Sequence, residues 1–299
     1  MITVEHLSKR YGSHPAVDDV SFTCEPGTVT GFLGPNGAGK STTMRMICGL
    51  TPPTAGTSTV DGQPYRRLGN PGRRIGVLLD ASAQHAGRTG REVLTLAALT
   101  MGVDKRRVDE SLDRVGLNST AAKRRVKAYS LGMRQRLGLA YAMLGDPRIL
   151  ILDEPANGLD PEGIYWMRGL LRDFADAGGT VLLSSHLLRE VEAVADKLVV
   201  IGAGRIVAQG DKAELLAASG TVVRALDMAA LETVLRRIGH PGTKTTDGGV
   251  VVQADAETIG RAAADAGLVL LELRPAGSGG LEQMFLTLTA GDSVKEAVR

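Results

Sequence analysis

The 299-residue chain carries 35 Lys and Arg against 33 Asp and Glu, a formal charge of +2, and 43% of its residues are hydrophobic. That balance gives no support for wrapping nucleic acid, which normally calls for a strongly basic face, and the apolar content supports a core in one large domain or in a larger and a smaller one. Two cysteines, Cys24 and Cys48, have neither metal-like spacing nor a disulfide framework, which points to a reducing, cytosolic setting. Met1-Ile2-Thr3-Val4-Glu5-His6 lacks a basic region followed by an apolar one, so no signal peptide is expected there. No apolar run reaches the ~18 residues of a spanning helix, and any membrane role is expected to come through a partner.

Residues 3–7, 17–24 and 29–33 read as strands between turn signals at Gly12-Ser13 and Pro26-Gly27, an antiparallel, β-rich beginning. Tyr11 stands just past the first strand, where it could stack on an adenine face or simply pack. The buried run 29–33 leads into Gly34-Pro35-Asn36-Gly37-Ala38-Gly39-Lys40-Ser41-Thr42, and residues 41–50 follow as a helix. Pro52-Pro53-Thr54-Ala55-Gly56 is a turn and Val60-Asp61-Gly62 a hairpin cue. Residues 75–79 form another buried strand, ending at Asp80; 82–91 are polar and irregular. From 91 to 143 the pattern is helical, with breaks at Gly102, Gly116 and before Ala128-Tyr129-Ser130. The basic run Lys123-Arg124-Arg125-Val126-Lys127 reads as a solvated loop or helix end.

Residues 148–152 are an apolar strand that runs into Asp153 and Glu154, and 181–185 repeat that design, ending at His186. A buried strand with a polar tip places its carboxyl end at the crevice where open α/β sheets bind ligands. Strands at 197–201 and 205–209 close this unit around Gly202-Ala203-Gly204. The character then changes. A strand at 221–226, a helix at 228–238, a strand at 250–253, a helix at 256–266 and a strand at 268–273 predict a small α/β sandwich of the ferredoxin-like kind. Pro275-Ala276-Gly277-Ser278-Gly279-Gly280 reads as a link and Leu281 as the start of a closing helix. The expected domains are thus 1–216 and 217–299.

The stretch from Gly34 to Thr42 fills every fixed position of G-x-x-x-x-G-K-[ST] between a strand and a helix. Gly34, Gly37 and Gly39 let backbone N–H groups, including that of Asn36, turn inward around a polyphosphate, and the helix dipole favours the same anion. Lys40 is expected to place its charge on the β and γ phosphates, and Ser41 its hydroxyl on Mg²⁺. Asp153 supplies a second metal-holding oxygen, and Glu154 a general base or a group that orients the attacking water.

In its order of motifs the chain resembles the ATP-binding cassette subunit of ABC transporters across residues 1–216. The motifs are Tyr11, the phosphate loop 34–42, Tyr129-Ser130-Leu131-Gly132-Met133-Arg134-Gln135-Arg136 as the signature, 150–154, Gly158-Leu159-Asp160, and Ser185-His186. The resemblance implies an α/β P-loop NTPase cassette with an antiparallel β subdomain and a helical subdomain, followed by a small C-terminal α/β domain. It implies ATP and Mg²⁺ as cofactors, with Tyr11 on the adenine and Thr42 closing the phosphate loop. It also implies two cassettes closing head to tail, so that Ser130 and Gly132 of one cover the nucleotide held by the other. His186 then reaches the γ-phosphate and Glu154, and Asp160 helps seal the dimer. An integral membrane permease is the implied partner, docking against the segment after Asp80 at the cytoplasmic face of the membrane, and no nucleic acid is implied.

Two departures stand out. The family's L-S-G-G-Q is here Tyr129, Ser130, Leu131, Gly132 and Met133, and the family's glutamine after 75–79 is here Asp80. Asp80 is therefore expected among the residues that hold Mg²⁺ and nucleotide, engaging when Mg²⁺-ATP is present. With the second domain, these features resemble bacterial type-2 drug and antibiotic-resistance exporters. Two other classes fit the sequence less well. A soluble cassette ATPase acting on ribosomes or DNA usually carries two cassettes or a coiled-coil insertion, and neither is visible; a nucleotide switch without turnover usually lacks Glu154 or His186.

Overall fold

The computed structural model describes residues 1–186, 188–217, 220–245 and 248–275. The chain divides into two compact units, Met1–Gln209 and Gly210–Arg299. The division thus falls slightly before the expected one, within the strand Arg205–Asp211.

The elements of the first unit are, in order, β1 (Ile2–Tyr11), β2 (His14–Cys24), β3 (Val29–Leu33), α1 (Lys40–Ile47), β4 (Ala55–Val60), β5 (Ile75–Leu78), α2 (Gly90–Met101), α3 (Arg106–Arg114), α4 (Ser119–Lys123), α5 (Leu131–Met143), β6 (Ile149–Asp153), α6 (Pro161–Asp176), β7 (Thr180–Ser184), α7 (Leu188–Val194), β8 (Lys197–Gly202) and β9 (Arg205–Asp211). They build two sheets. β2, β1 and β4 pair in that order, antiparallel. The larger sheet runs β5-β6-β7-β3-β8-β9, and its first five strands are parallel.

β3 corrects the expectation of an antiparallel start, because it leaves β1 and β2 for the centre of the parallel sheet. All five of its residues are buried, as befits a strand covered on both faces. The main core lies between the sheets. Ile2, Val4, Val20 and Phe22 from one meet Phe32, Ile149, Ile151, Leu182 and Val199 from the other, with Met44 and Ile47 of α1. The Phe22 and Phe32 rings stack at 5.3 Å. Cys24 and Cys48 are free and buried, and burial pushes both thiols up to about 12, so they are inert packing groups.

The helical stretch breaks where expected. Gly102 ends α2 in the left-handed region at φ 62°, and Gly116 follows α3 at φ 71°. α2 starts with a capping box in which Thr89 accepts from the Glu92 N–H and Glu92 accepts from the Thr89 N–H. The hairpin cue at Asp61-Gly62 yields one bridge, between Val60 and Gln63.

The second unit contains α8 (Lys212–Ala217), β10 (Thr221–Ala225), α9 (Met228–Arg237), β11 (Thr243–Lys244), β12 (Val250–Val252), α10 (Ala256–Asp265) and β13 (Leu270–Pro275). Its antiparallel sheet runs β11-β12-β10-β13, which with the two helices is the ferredoxin-like plan. Val223, Leu231, Leu235, Val250, Val252 and Ile259 form its core. β11 was not visible in the sequence. Of the expected link at 275–280, Pro275 instead ends β13; the rest of it and the expected helix from Leu281 lie outside the described residues.

Candidate functional site

The parallel register decides what meets at the carboxyl edge of the larger sheet. β7 sits between β3 and β6, with Ser184 opposite both Phe32 and Asp153. The loop after β3, the carboxylates ending β6 and the tip of β7 therefore emerge side by side.

The 34–42 loop is shaped by close backbone approach. Gly37 and Gly39 lie at φ 83° and 106°, in the left-handed region that glycine tolerates. A Cβ on Gly39 would stand 2.6 Å from the Ala16 carbonyl oxygen, and one on Gly34 2.5 Å from that of Ile201. α1 then begins with no side-chain cap and no acidic residue in its first turn. Its first N–H groups remain available at the positive end of the helix dipole. Lys40 is 7% exposed, and its Nζ donates to the Gly34 and Pro35 carbonyls at 2.6 and 3.0 Å. Burial lowers its pKa while Glu154 and Asp153 pull the other way. Its contacts are neutral carbonyls, so the ammonium charge is not spent on a bonded carboxylate.

Asn36, Gly37, Gly39, Lys40, Ser41 and Thr42 line a cleft of about 270 Å³ together with Asp153 and Glu154. Hard oxygen donors, the Ser41 hydroxyl and the Asp153 carboxylate, thus share one cleft with a buried cation and free helix N–H groups. That donor set suits a magnesium-bound polyphosphate.

The carboxylates are wired into β7. Ser184 Oγ donates a hydrogen bond to Asp153 Oδ1. The Glu154 N–H donates to Ser184 Oγ and to the Ser184 carbonyl, each at 3.2 Å. Glu154 is a non-glycine residue at φ 52°, a conformation that persists only where its surroundings fix it. His186 Nδ1 lies 2.7 Å from Glu154 Oε2, and the His186 backbone N–H donates to the same oxygen at 3.2 Å. From the other side Gln135, 3% exposed, donates its amide to the Glu154 carbonyl at 3.0 Å.

The remaining expected residues lie elsewhere on the subunit. Tyr11 is 54% exposed, with Lys9 Nζ 5.2 Å from its ring centroid, and is not part of the cleft wall. Ser130 caps α5, its Oγ accepting from the Met133 N–H at 3.2 Å, and is exposed. A Cβ on Gly132 would stand 2.7 Å from the Gly158 carbonyl oxygen. Asp160 caps α6 by accepting from the Gly163 N–H at 2.9 Å. Neither Ser130 nor Gly132 lines the chain's own cleft.

Asp80, expected to engage the site when Mg²⁺-ATP is present, does not line the cleft in this structure. Its Oδ1 accepts from the Ser82 hydroxyl and N–H at 2.6 and 2.7 Å, capping a short turn, and these bonds hold its carboxyl below the ordinary range. It lines a separate groove with Arg45, Ala83 and Gln84, while Leu79 takes the place at the cleft. Ser184, Gln135, Ala16 and Leu79 are the participants that sequence reasoning passed over. Ser184 stood in view at a strand tip beside His186, and Gln135 in the quoted signature stretch; neither Ala16 nor Leu79 carries a signal of its own.

Comparison with known proteins agrees with this geometry. The ABC transporter family matches residues 17–157. The bacitracin transport ATP-binding protein BcrA of Bacillus licheniformis is 42% identical over 209 residues, covering 69% of this chain and 68% of that protein. The lantibiotic transport ATP-binding protein SrtF of Streptococcus pyogenes is 37% identical over 207 residues, 69% of this chain and 89% of the relative. Among solved structures, an ATP-binding subunit of an ABC transporter superposes with a TM-score of 0.65 at 28% identity, over 80% of this chain and 93% of that one. A dimeric bacterial ABC transporter cassette, 21% identical and matched over 71% of this chain and 98% of its own, has the same TM-score and shares the fold. The chain therefore belongs to the ABC transporter family, as an ATP-binding subunit with the cassette fold.

Proposed function

We propose that this subunit hydrolyses ATP to drive export of peptide antibiotics or related drugs through a separate membrane permease. The substrate class rests on the relatives named for bacitracin and lantibiotic transport. Among the described residues no helix is long and apolar enough to cross a membrane, which fits a subunit that works from the cytoplasmic face through its partner.

The observation that carries the reading is the convergence of Lys40, Asp153 and Glu154 on one cleft at the start of α1, with His186 bonded to Glu154. In it, the 34–42 backbone and Lys40 bind the phosphates, and Ser41 and Asp153 hold Mg²⁺, which when bound neutralises charge developing on the phosphoryl oxygens. Glu154 orients a water for in-line attack and accepts its proton, and His186 keeps the carboxylate aimed. Tyr11 stacks on adenine. Ser130 and Gly132 at the start of α5 cover the nucleotide of a second cassette, with Asp160 at the seam. The position of Ser130 and Gly132 away from the chain's own cleft supports that head-to-tail arrangement.

Lys40→Ala tests the reading. Purified protein is expected to lose ATP hydrolysis and to bind nucleotide more weakly in the presence of Mg²⁺, by about 10- to 100-fold. Turnover near that of the wild type in a steady-state phosphate-release assay sinks it.

A further inference from the structure

The first turns of α5 and the loop after Glu154 are packed as one body. A Cβ on Gly132 would stand 2.7 Å from the Gly158 carbonyl oxygen, and one on Gly158 2.4 Å from the Leu131 side chain. One turn further along, the Arg136 guanidinium lies 4.7 Å from the Trp166 ring centroid on α6, and its Nη1 donates to the Val115 carbonyl at 3.0 Å. Between these contacts, the Gln135 amide donates to the Glu154 carbonyl. The Glu154 peptide is thus gripped from two elements: Ser184 of β7 holds its N–H and Gln135 of α5 holds its C=O. Both grips act on a residue at φ 52°, where small backbone rotation re-aims the side chain. Gln135 reaches this position from a site 3% exposed, so no water readily replaces its amide.

We propose that Gln135 is a positioning residue for Glu154 that ties the alignment of this carboxylate to the helix beginning at Ser130. The inference rests on the reading of Glu154 as the water-orienting base. Because Ser130 and Gly132 face the partner's nucleotide in that reading, α5 links two sites. When its N-terminus engages the nucleotide of the second cassette, Gln135 carries any shift of α5 to Glu154 of its own cleft. A Glu154 whose carbonyl is released relaxes out of the left-handed region, and its carboxylate no longer points where His186 holds it. Nucleotide binding, which uses 34–42, does not depend on this bond.

The test is Gln135→Met, of similar length but without a donor, in the full-length chain, with Gln135→Leu as the second variant if the first is poorly folded. The turnover number for ATP is expected to fall about tenfold while KM stays within about twofold. In a Glu154→Gln background, the ATP-driven dimer seen by light scattering is expected to form equally with and without Gln135→Met. A turnover within about twofold of wild type, alongside a Glu154→Gln variant that is inactive, overturns the role of Gln135 and leaves that of Glu154 standing. Parallel losses in kcat, KM and dimer formation also overturn it, because they mark a residue that only holds the fold. A Glu154→Gln variant with wild-type turnover removes the reading on which the inference rests.

Discussion

β5 and β6 lie side by side, run parallel, and each leads from a buried apolar run into an aspartate, yet only one of the two aspartates lines the cleft. Asp153 ends β6, which neighbours β7, so its carboxylate finds the Ser184 hydroxyl and faces the 34–42 loop. Asp80 follows β5 at the sheet's edge and has no strand beyond it. Its carboxylate turns back along its own chain to Ser82, two residues on. The same local pattern gives a ligand-facing group in one place and a turn cap in the other. What separates them is position in the strand order: β6 has a neighbouring strand on each side, whereas β5 has one only.

The largest effect is expected at the β6 tip. Glu154→Gln keeps the side chain's shape and its place beside His186 but removes the proton acceptor, and turnover should fall about 100-fold or more while ATP still binds. Steady-state hydrolysis and nucleotide binding measured on the same preparation check this. A fully active variant would mean that the two tips differ in packing and not in chemistry.

Ser184→Ala probes what fastens β6 to β7 and is expected to act at an intermediate level. It strips the hydroxyl from half-buried Asp153 and one of two acceptors from the Glu154 N–H, leaving a carboxylate oxygen without its donor. A stability loss of about 1–3 kcal/mol is expected from urea unfolding, with turnover lower by about tenfold. Ser82→Ala, which removes the corresponding hydroxyl at the exposed β5 tip, serves as the control and should change both quantities little.

How much of this was legible in the sequence depends on how far each signal reaches along the chain. The phosphate loop, Asp153, Glu154 and His186 were readable because each combines an apolar strand with a chemically distinctive tip. The break at Gly102 was readable because it is a local demand for positive φ. The partner of 29–33 was not, since strand and turn signals fix where a strand lies and leave its neighbours open; β3 joins β7 and β8, both far along the chain. Ser184 and Gln135 escaped for a related reason: a hydroxyl and an amide gain meaning only from the groups they meet, 31 and 19 residues away. Thr243–Lys244, two residues long, is too short for periodicity to register.

The smallest effect is expected at Asp80. Its carboxylate is exposed and bonded to Ser82, so Asp80→Ala should leave ATP binding and basal hydrolysis within about twofold of wild type. Loss of the turn cap should lower stability by about 0.5 kcal/mol, the low end for a cap, because solvent already screens the site. The pH dependence gives this a sign. The Ser82 hydroxyl and N–H, with Arg45 adding a weaker pull, hold the carboxyl below its unfolded value. Its contribution is therefore fully present above the ordinary carboxylate range and is lost as pH falls through the depressed folded value. Urea unfolding of wild type and Asp80→Ala should differ at neutral pH and converge as pH falls through the depressed folded value. Hydrolysis reduced as far as in Glu154→Gln, with no such convergence in acid, would place Asp80 in the cleft after all and erase the contrast between the two tips.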